Sequence, residues 1–200
     1  MKEKNKEAWH PADERRRSRN LVISVGLNGL ITLVQVAGGL ISGSLALLSD
    51  ALHNFSDTLA ILLSYLALKW GKKPSDRDKT FGYKRIEILT ALFNGVVLVG
   101  ISFFLFFEAW ERFSSPRPVK SGLMLIVAIA GLMANLAAVL LLKRDSHSNL
   151  NVKAAYLHLL GDTLSSVGVV AGALLIMFFE LYWVDPLLTV LIGAYIIREA

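Results

Sequence analysis

The sequence predicts an all-α membrane protein of six transmembrane helices, with both termini cytoplasmic and the character of an inverted three-plus-three repeat. Three observations predict it. First, the 200 residues are 54% hydrophobic and only 18% charged, with a mean hydropathy of +0.52, where a soluble domain of this size carries nearer a quarter of charged residues. Second, apolar stretches long enough to cross ~30 Å of hydrocarbon alternate with short connections rich in charge, Gly or Pro. Third, Lys and Arg are unevenly shared: counted on alternate sides of these stretches, eighteen fall on one side and three on the other. The positive side is the cytoplasmic one.

Residues 1–19 hold Lys2, Lys4, Lys6, Arg15, Arg16, Arg17 and Arg19 without helical apolar periodicity. They read as a basic cytoplasmic arm, flexible or lying on the surface, and no apolar run in them marks a cleavable signal. His10 belongs to that arm. Residues 20–200 form the six-helix domain. Leu21 to Leu48 is free of charge, and its polar side chains Asn28, Thr32 and Gln35 share a face that turns into a bundle. Gly38, Gly39 and Gly43 are expected to end this first span in a tight turn.

The second span runs from Leu45 or Asp50 to Leu68, and a charged loop follows from Lys69 to Arg85. The third, Ile86 to Trp110, closes in Glu108, Trp110, Glu111 and Arg112, an interfacial rim, before the turn at Ser114 to Pro118. Leu123 to Leu142 makes the fourth and Ala154 to Phe179 the fifth. Pro186 to Ile197 starts a sixth helix, with Pro in its first turn. Its 12 residues rise only about 18 Å, so residues upstream of Asp185 must contribute or the chain stops near the helix end.

The second span contains Asp50, His53 and Asp57, spaced so that all three lie on one helix face. About 100 residues later the pattern recurs: His158-Leu159-Leu160-Gly161-Asp162-Thr163-Leu164 matches His53 to Leu59 at His, Asp, Thr and Leu. Charged groups at mid-membrane cost roughly 2.5–3.5 kcal/mol each on insertion scales, so two such pairs ask for a shared ligand. With the N-terminus inside, the second and fifth helices are antiparallel. At 1.5 Å per residue, His53 and Asp57 lie ~12 and ~18 Å below one face, and His158 and Asp162 ~12 and ~18 Å from the other. His53 is then level with Asp162, and Asp57 with His158, near the midplane.

Two imidazole nitrogens and two carboxylate oxygens suit tetrahedral Zn²⁺, while Mg²⁺ and Ca²⁺ prefer more oxygens and Cu⁺ softer sulfur. Co²⁺, Fe²⁺, Ni²⁺ and Cd²⁺ stay open. Such ligands bind metal only when deprotonated, and the unperturbed pKa of histidine, ~6.5, lies where that competition matters. A site exchanging metal for protons on alternate sides is an antiporter. The chain has no Cys, so disulfides and thiolate metal sites are excluded. Its net charge of +5 lies between apolar runs and marks topology; no nucleic-acid partner is expected.

At these residues the sequence resembles the cation diffusion facilitator family, in its bacterial zinc-transporting branch. The similar stretches are Gly43 to His53 with Asp57, Phe81-Gly82-Tyr83-Lys84-Arg85-Ile86-Glu87-Ile88-Leu89, and Asn149 to Asp162. The resemblance implies that His53, Asp57, His158 and Asp162 bind Zn²⁺ as transported substrate, releasing it outward against H⁺ from a homodimer in the bacterial inner membrane. It implies no catalytic or cofactor-binding residues. Family members carry a cytoplasmic metal-binding domain after the sixth helix, and the sequence stops at Ala200 without it. Asp50 is no usual ligand in the family and is expected to shape the outer vestibule.

Two other classes compete with transport. A membrane-embedded zinc hydrolase needs an open coordination position and a general base, yet the four donors fill a tetrahedron and no His-Glu-x-x-His is present. A passive divalent-cation channel, or a metal-responsive scaffold, would ignore the proton gradient. Among the other polar residues, Asn28, Gln35, Asn94 and Asn135 are expected to hydrogen-bond between helices, with Asn28 and Asn94 also candidates to line the path. Gly168 and Gly172 permit close packing. Asp76, Asp78, Asp145 and His147 read as solvated loop residues, and Arg85 and Glu87 as anchors of the third helix or its dimer contact.

Overall fold

The computed structural model describes residues 11–71, 85–143, 146 and 150–199, of which the side chains of 11–18, 60–71, 85–87, 150, 151 and 199 are left aside. His10 and the loop positions Asp76, Asp78, Asp145 and His147 lie outside the described residues, as do the side chains of Arg85 and Glu87. Six helices follow in order: α1 (Pro11–Ser42), α2 (Leu45–Gly71), α3 (Arg85–Ser114), α4 (Ser121–Lys143), α5 (Leu150–Phe179) and α6 (Val184–Glu199). No strand occurs among the described residues. Four helices, α1, α3, α4 and α5, contain stretches long and apolar enough to cross a membrane. At 16 residues α6 rises only about 24 Å.

The pattern of exposure is that of a protein solvated by hydrocarbon. Leu92, Phe93, Phe103, Phe104, Phe107 and Trp110 of α3 are exposed, while Gln35, Asp50, His53, Asn54 and Asp162 are buried. Polar groups gather inward because lipid offers them no partner.

α2 sits in the middle, touching α1, α3, α5 and α6, while α4 bridges α1 and α5 and α3 pairs with α6. Two apolar clusters form along these helices. One joins Leu47 of α2, Met124 and Val127 of α4, Val169 and Ile176 of α5 and Ile196 of α6. The other joins Ala138 and Leu142 of α4 with Val152 and Leu159 of α5. Among the buried residues between the two clusters, Asn135 of α4 and Asp162 and Ser166 of α5 are polar: Asn135 Nδ2 donates to Ser166 Oγ at 3.0 Å, and Asp162 lies one turn away.

Helix α1 differs from the sequence expectation at both ends. It starts at Pro11, inside the stretch assigned to the arm, and it passes through Gly38 and Gly39 without ending. Those two glycines are packing residues. A Cβ on Gly38 would come within 2.7 Å of Val127 on α4, and one on Gly39 within 2.7 Å of Leu48 on α2. Only Gly43 makes the turn, at φ 76°, with its N–H donating to Gly39 O at 2.9 Å. On α5, Gly172 likewise lets Leu188 and Val184 of α6 come close, whereas Gly168 leaves ordinary contact. Glu180 ends α5 in the left-handed region at φ 55°, a conformation that costs a side-chain-bearing residue about 1–2 kcal/mol.

Residues far apart in sequence lock one end of the bundle. Ser44 caps α2 by accepting from Leu47 N at 3.1 Å. Asp185, from the first turn of α6, reaches the same helix start: it accepts from Leu45 N at 2.9 Å, Ala46 N at 3.2 Å and Ser44 Oγ at 2.6 Å. Arg112, in the last turn of α3, lies 3.5 Å from Asp185 Oδ2, donates to Gly43 O and pairs with Glu108. Lys120 N donates to Ser42 O at 2.9 Å. The rim of Glu108, Glu111 and Arg112 anticipated from sequence is therefore half clamp and half surface, with Arg117 pairing outside with Glu108 and Glu111.

Replacing Asp185 with Ala orphans two backbone donors and takes one of two carboxylates from Arg112, and is expected to cost about 3 kcal/mol. Thermal unfolding in detergent reads this as a fall in Tm, with Asp185→Asn falling less. The change Glu180→Gly relieves the backbone and should raise stability by about 0.5–1 kcal/mol in the same assay.

Candidate metal site

Four side chains from two antiparallel helices meet in the polar layer. On α2, His53 and Asp57 are one turn apart, with Nε2 3.6 Å from Asp57 Oδ2; on α5, His158 Nε2 is 3.8 Å from Asp162 Oδ2. The contacts between helices are shorter. His53 Nε2 lies 3.3 Å from Asp162 Oδ1, and His158 Nε2 lies 3.1 Å from Asp57 Oδ2. This is the pairing that levels His53 with Asp162 and Asp57 with His158. The ligand atoms of His53, Asp57 and Asp162 all fall within 4.8 Å of one another, and His158 flanks them with its ring centroid 5.9 Å from that of His53.

These spacings fit a small tetrahedral cation. Bonds of ~2.0–2.2 Å put neighbouring ligand atoms about 3.3–3.6 Å apart, and the four observed separations run from 3.1 to 3.8 Å. The carboxylate chemistry points the same way. Both oxygens of Asp162, and Oδ2 of Asp57, are buried and accept no hydrogen bond, so what faces them is the pair of imidazole nitrogens. Buried carboxylates persist only when a cation or protons compensate them.

Access to the site is graded. The side chains of His53 and Asp162 are 3% and 1% exposed, those of Asp57 and His158 21% and 35%. Asp57 and His158 line a cavity of about 370 Å³ that extends between α1, α4 and α5 toward Leu21, Leu142 and Ala154, at the end where the first residues of α1 lie. At the opposite end stands the Asp185 clamp.

Asp50 is not in any vestibule. It is 1% exposed and fully engaged, with Gln35 Nε2 donating to Oδ2 at 2.7 Å and Ser165 Oγ to Oδ1 at 2.8 Å. Gln35 in turn accepts from Asn54 Nδ2 at 3.2 Å, so α1, α2 and α5 are tied together one turn behind the site. The expectation that Asp50 shapes an outer vestibule fails because two neutral donors, Gln35 and Ser165, hold the residue inside the core. Asn94 accepts from Ser56 Oγ at 3.3 Å, as its type suggested. Asn28 makes no such bond through its side-chain oxygen.

Tyr195 was not anticipated from the sequence. Its ring packs edge-on against His53 with centroids 5.5 Å apart, and its hydroxyl sits where a Cβ on Gly161 would come within 2.8 Å. No local pattern marks it, since it comes from α6, the helix with the least to distinguish one face from another.

Residues 21–200 match the cation efflux transmembrane domain family. The chain is 42% identical over 179 residues to the metal cation efflux system protein CzcD of Cupriavidus metallidurans, covering 90% of this chain and 57% of that protein. It is 43% identical over 188 residues to the zinc transporter ZitB of Escherichia coli, covering 94% and 60%. With a cadmium, cobalt and zinc/H(+)-K(+) antiporter of Bacillus subtilis it shares 39% identity over 192 residues, covering 95% and 62%. The chain thus spans about three-fifths of the length of these relatives. A helical bundle with apolar faces outward and a polar layer within, matched along nine-tenths of its length to one family, is a multi-pass membrane protein, and the chain belongs to the cation efflux family.

Proposed function

We propose that this chain is the membrane part of a secondary transporter that exports Zn²⁺ from the cytoplasm in exchange for H⁺ by alternating access. His53, Asp57, His158 and Asp162 are its ligands. The observation that carries the proposal is the cluster itself: four His–carboxylate separations of 3.1 to 3.8 Å, with ligand atoms of His53, Asp57 and Asp162 within 4.8 Å of one another and His158 beside them, built on Asp162, whose two buried oxygens face only the imidazoles. Relatives named as a zinc transporter and as a cadmium, cobalt and zinc antiporter support the substrate class. Cd²⁺ and Co²⁺ are compatible with the same donors.

Charge balance supports antiport. Two carboxylates are neutralised by one divalent cation or by two protons on the two imidazoles, and the two loadings exclude each other because metal needs the nitrogens bare. Either loading makes the site neutral, so either can be carried through a layer of low dielectric. A site with both, or neither, is charged and stays where it is.

In this proposal all six helices span the bacterial inner membrane in two inverted sets of three, the termini are cytoplasmic as the Lys and Arg asymmetry directs, and residues 1–19 form a basic arm whose last nine residues belong to α1. The cavity reaching Asp57 and His158 then opens toward the cytoplasm and the Asp185 clamp closes the outer side, an inward-facing arrangement. The transporter acts as a homodimer, as the family resemblance implies, and performs no enzymatic step.

In proteoliposomes, Zn²⁺ movement should follow an imposed pH gradient and be lost in Asp57→Ala and in Asp162→Ala. Transport surviving in both variants removes the quartet from the mechanism, and flux indifferent to the gradient favours a passive channel. Calorimetric titration should show the Zn²⁺ affinity weakening as pH falls, by about ten- to a hundredfold per unit where one to two protons are displaced, and at any one pH the affinity of Asp162→Ala should be lower by about tenfold or more.

A further inference from the structure

We propose that Ser24 and Asn28 form a waiting site for the hydrated divalent cation, one step before the quartet; this rests on the metal-transport reading above. The two residues stand one turn apart on α1 and line the same cavity as Asp57 and His158. Everything else lining that cavity is Leu, Val or Ala. Ser24 is 3% and Asn28 9% exposed, and Ser24 Oγ and Asn28 Oδ1 have no hydrogen-bond partner.

The polar face of α1 changes character where the cavity begins. Deeper along the helix Thr32 donates to Asn28 O at 2.7 Å, and Gln35 serves both Asp50 and Asn54. Among the described residues of α1, side-chain oxygens go unused beside the cavity and nowhere deeper on this face. Buried polar atoms are nearly always paired, so two orphans in neighbouring turns beside a space call for a ligand.

The ligand is a divalent transition-metal ion still carrying water. A metal ion acidifies its waters, which makes them strong donors in search of acceptors, and Asn28 Oδ1, Ser24 Oγ and the Asp57 carboxylate are acceptors. Six waters occupy about 180 Å³ at their liquid volume, so a cavity of about 370 Å³ admits the hydrated ion. The apolar remainder of the wall offers no rival donor. Ser24 and Asn28 hold outer waters while Asp57 and His158, the two exposed ligands, replace the first inner ones. His53 and Asp162 then complete the shell.

Stopped-flow binding of Zn²⁺ to the purified full chain tests this. In Ser24→Ala/Asn28→Leu the association rate should fall about tenfold, the barrier equivalent of one hydrogen bond, and dissociation should slow in proportion, leaving the equilibrium Kd within twofold. Asn28→Asp, which keeps the acceptor, should bind at least as fast as the parent. Unchanged association in the double variant overturns the waiting site, and so does a weakened Kd at an unchanged rate, which marks a structural prop for the quartet. Asp162→Ala, run alongside, separates the two readings: Zn²⁺ binding unaffected by that change defeats the quartet, whatever the rates of the α1 variants.

Discussion

A carboxylate that accepts no hydrogen bond, in the middle of a helix that faces lipid elsewhere, is the constraint on which this structure turns. Asp162 cannot be solvated from outside and is 1% exposed. Its charge has to be met within the bundle, and the imidazoles of His53 and His158 are the groups that face it. The remaining architecture keeps that condition in force. The apolar clusters on either side of the polar layer exclude water, α2 supplies the complementary His and Asp from the opposite direction, and Tyr195 closes over His53.

The polar layer separates into two kinds of group. Asp50, Gln35, Asn54, Asn135, Ser165 and Ser166 are joined to one another across helices and fix the bundle. Asp57, His158 and Asp162, with Ser24 and Asn28 on the approach, hold oxygens or nitrogens toward space or toward each other. One set gives rigidity and the other reactivity, although both are built from the same residue types. Burial alone does not distinguish them; the partners do.

Much of this was readable before any coordinates. Helix content, the approximate limits of α2 to α5 and the meeting of His53, Asp57, His158 and Asp162 follow from hydropathy and from a seven-residue pattern used twice, because a charge in an apolar run is expensive enough to be informative by itself. Three things were not readable. Gly38 and Gly39 look like a helix terminus, and only the closeness of Val127 and Leu48 shows why glycine is needed mid-helix. Asp50 shares the stripe of His53 and Asp57, and only Gln35 and Ser165 explain why it is held away from them. The roles of Asp185 and Tyr195 depend on where α6 comes to lie, which no local pattern encodes.

The clamp at Asp185 has a consequence for how the molecule is made. The backbone N–H groups that open α2 are capped from a residue 140 positions downstream of Leu45. A chain inserted in order from its N-terminus therefore places α2, with His53 and Asp57, in the bilayer long before the carboxylate that finishes the helix exists. Until α6 enters, the first hairpin has an incomplete end, and Arg112 has only Glu108 of its own helix as an anion. The shortest of the described helices is the one that closes the first turn of the fold.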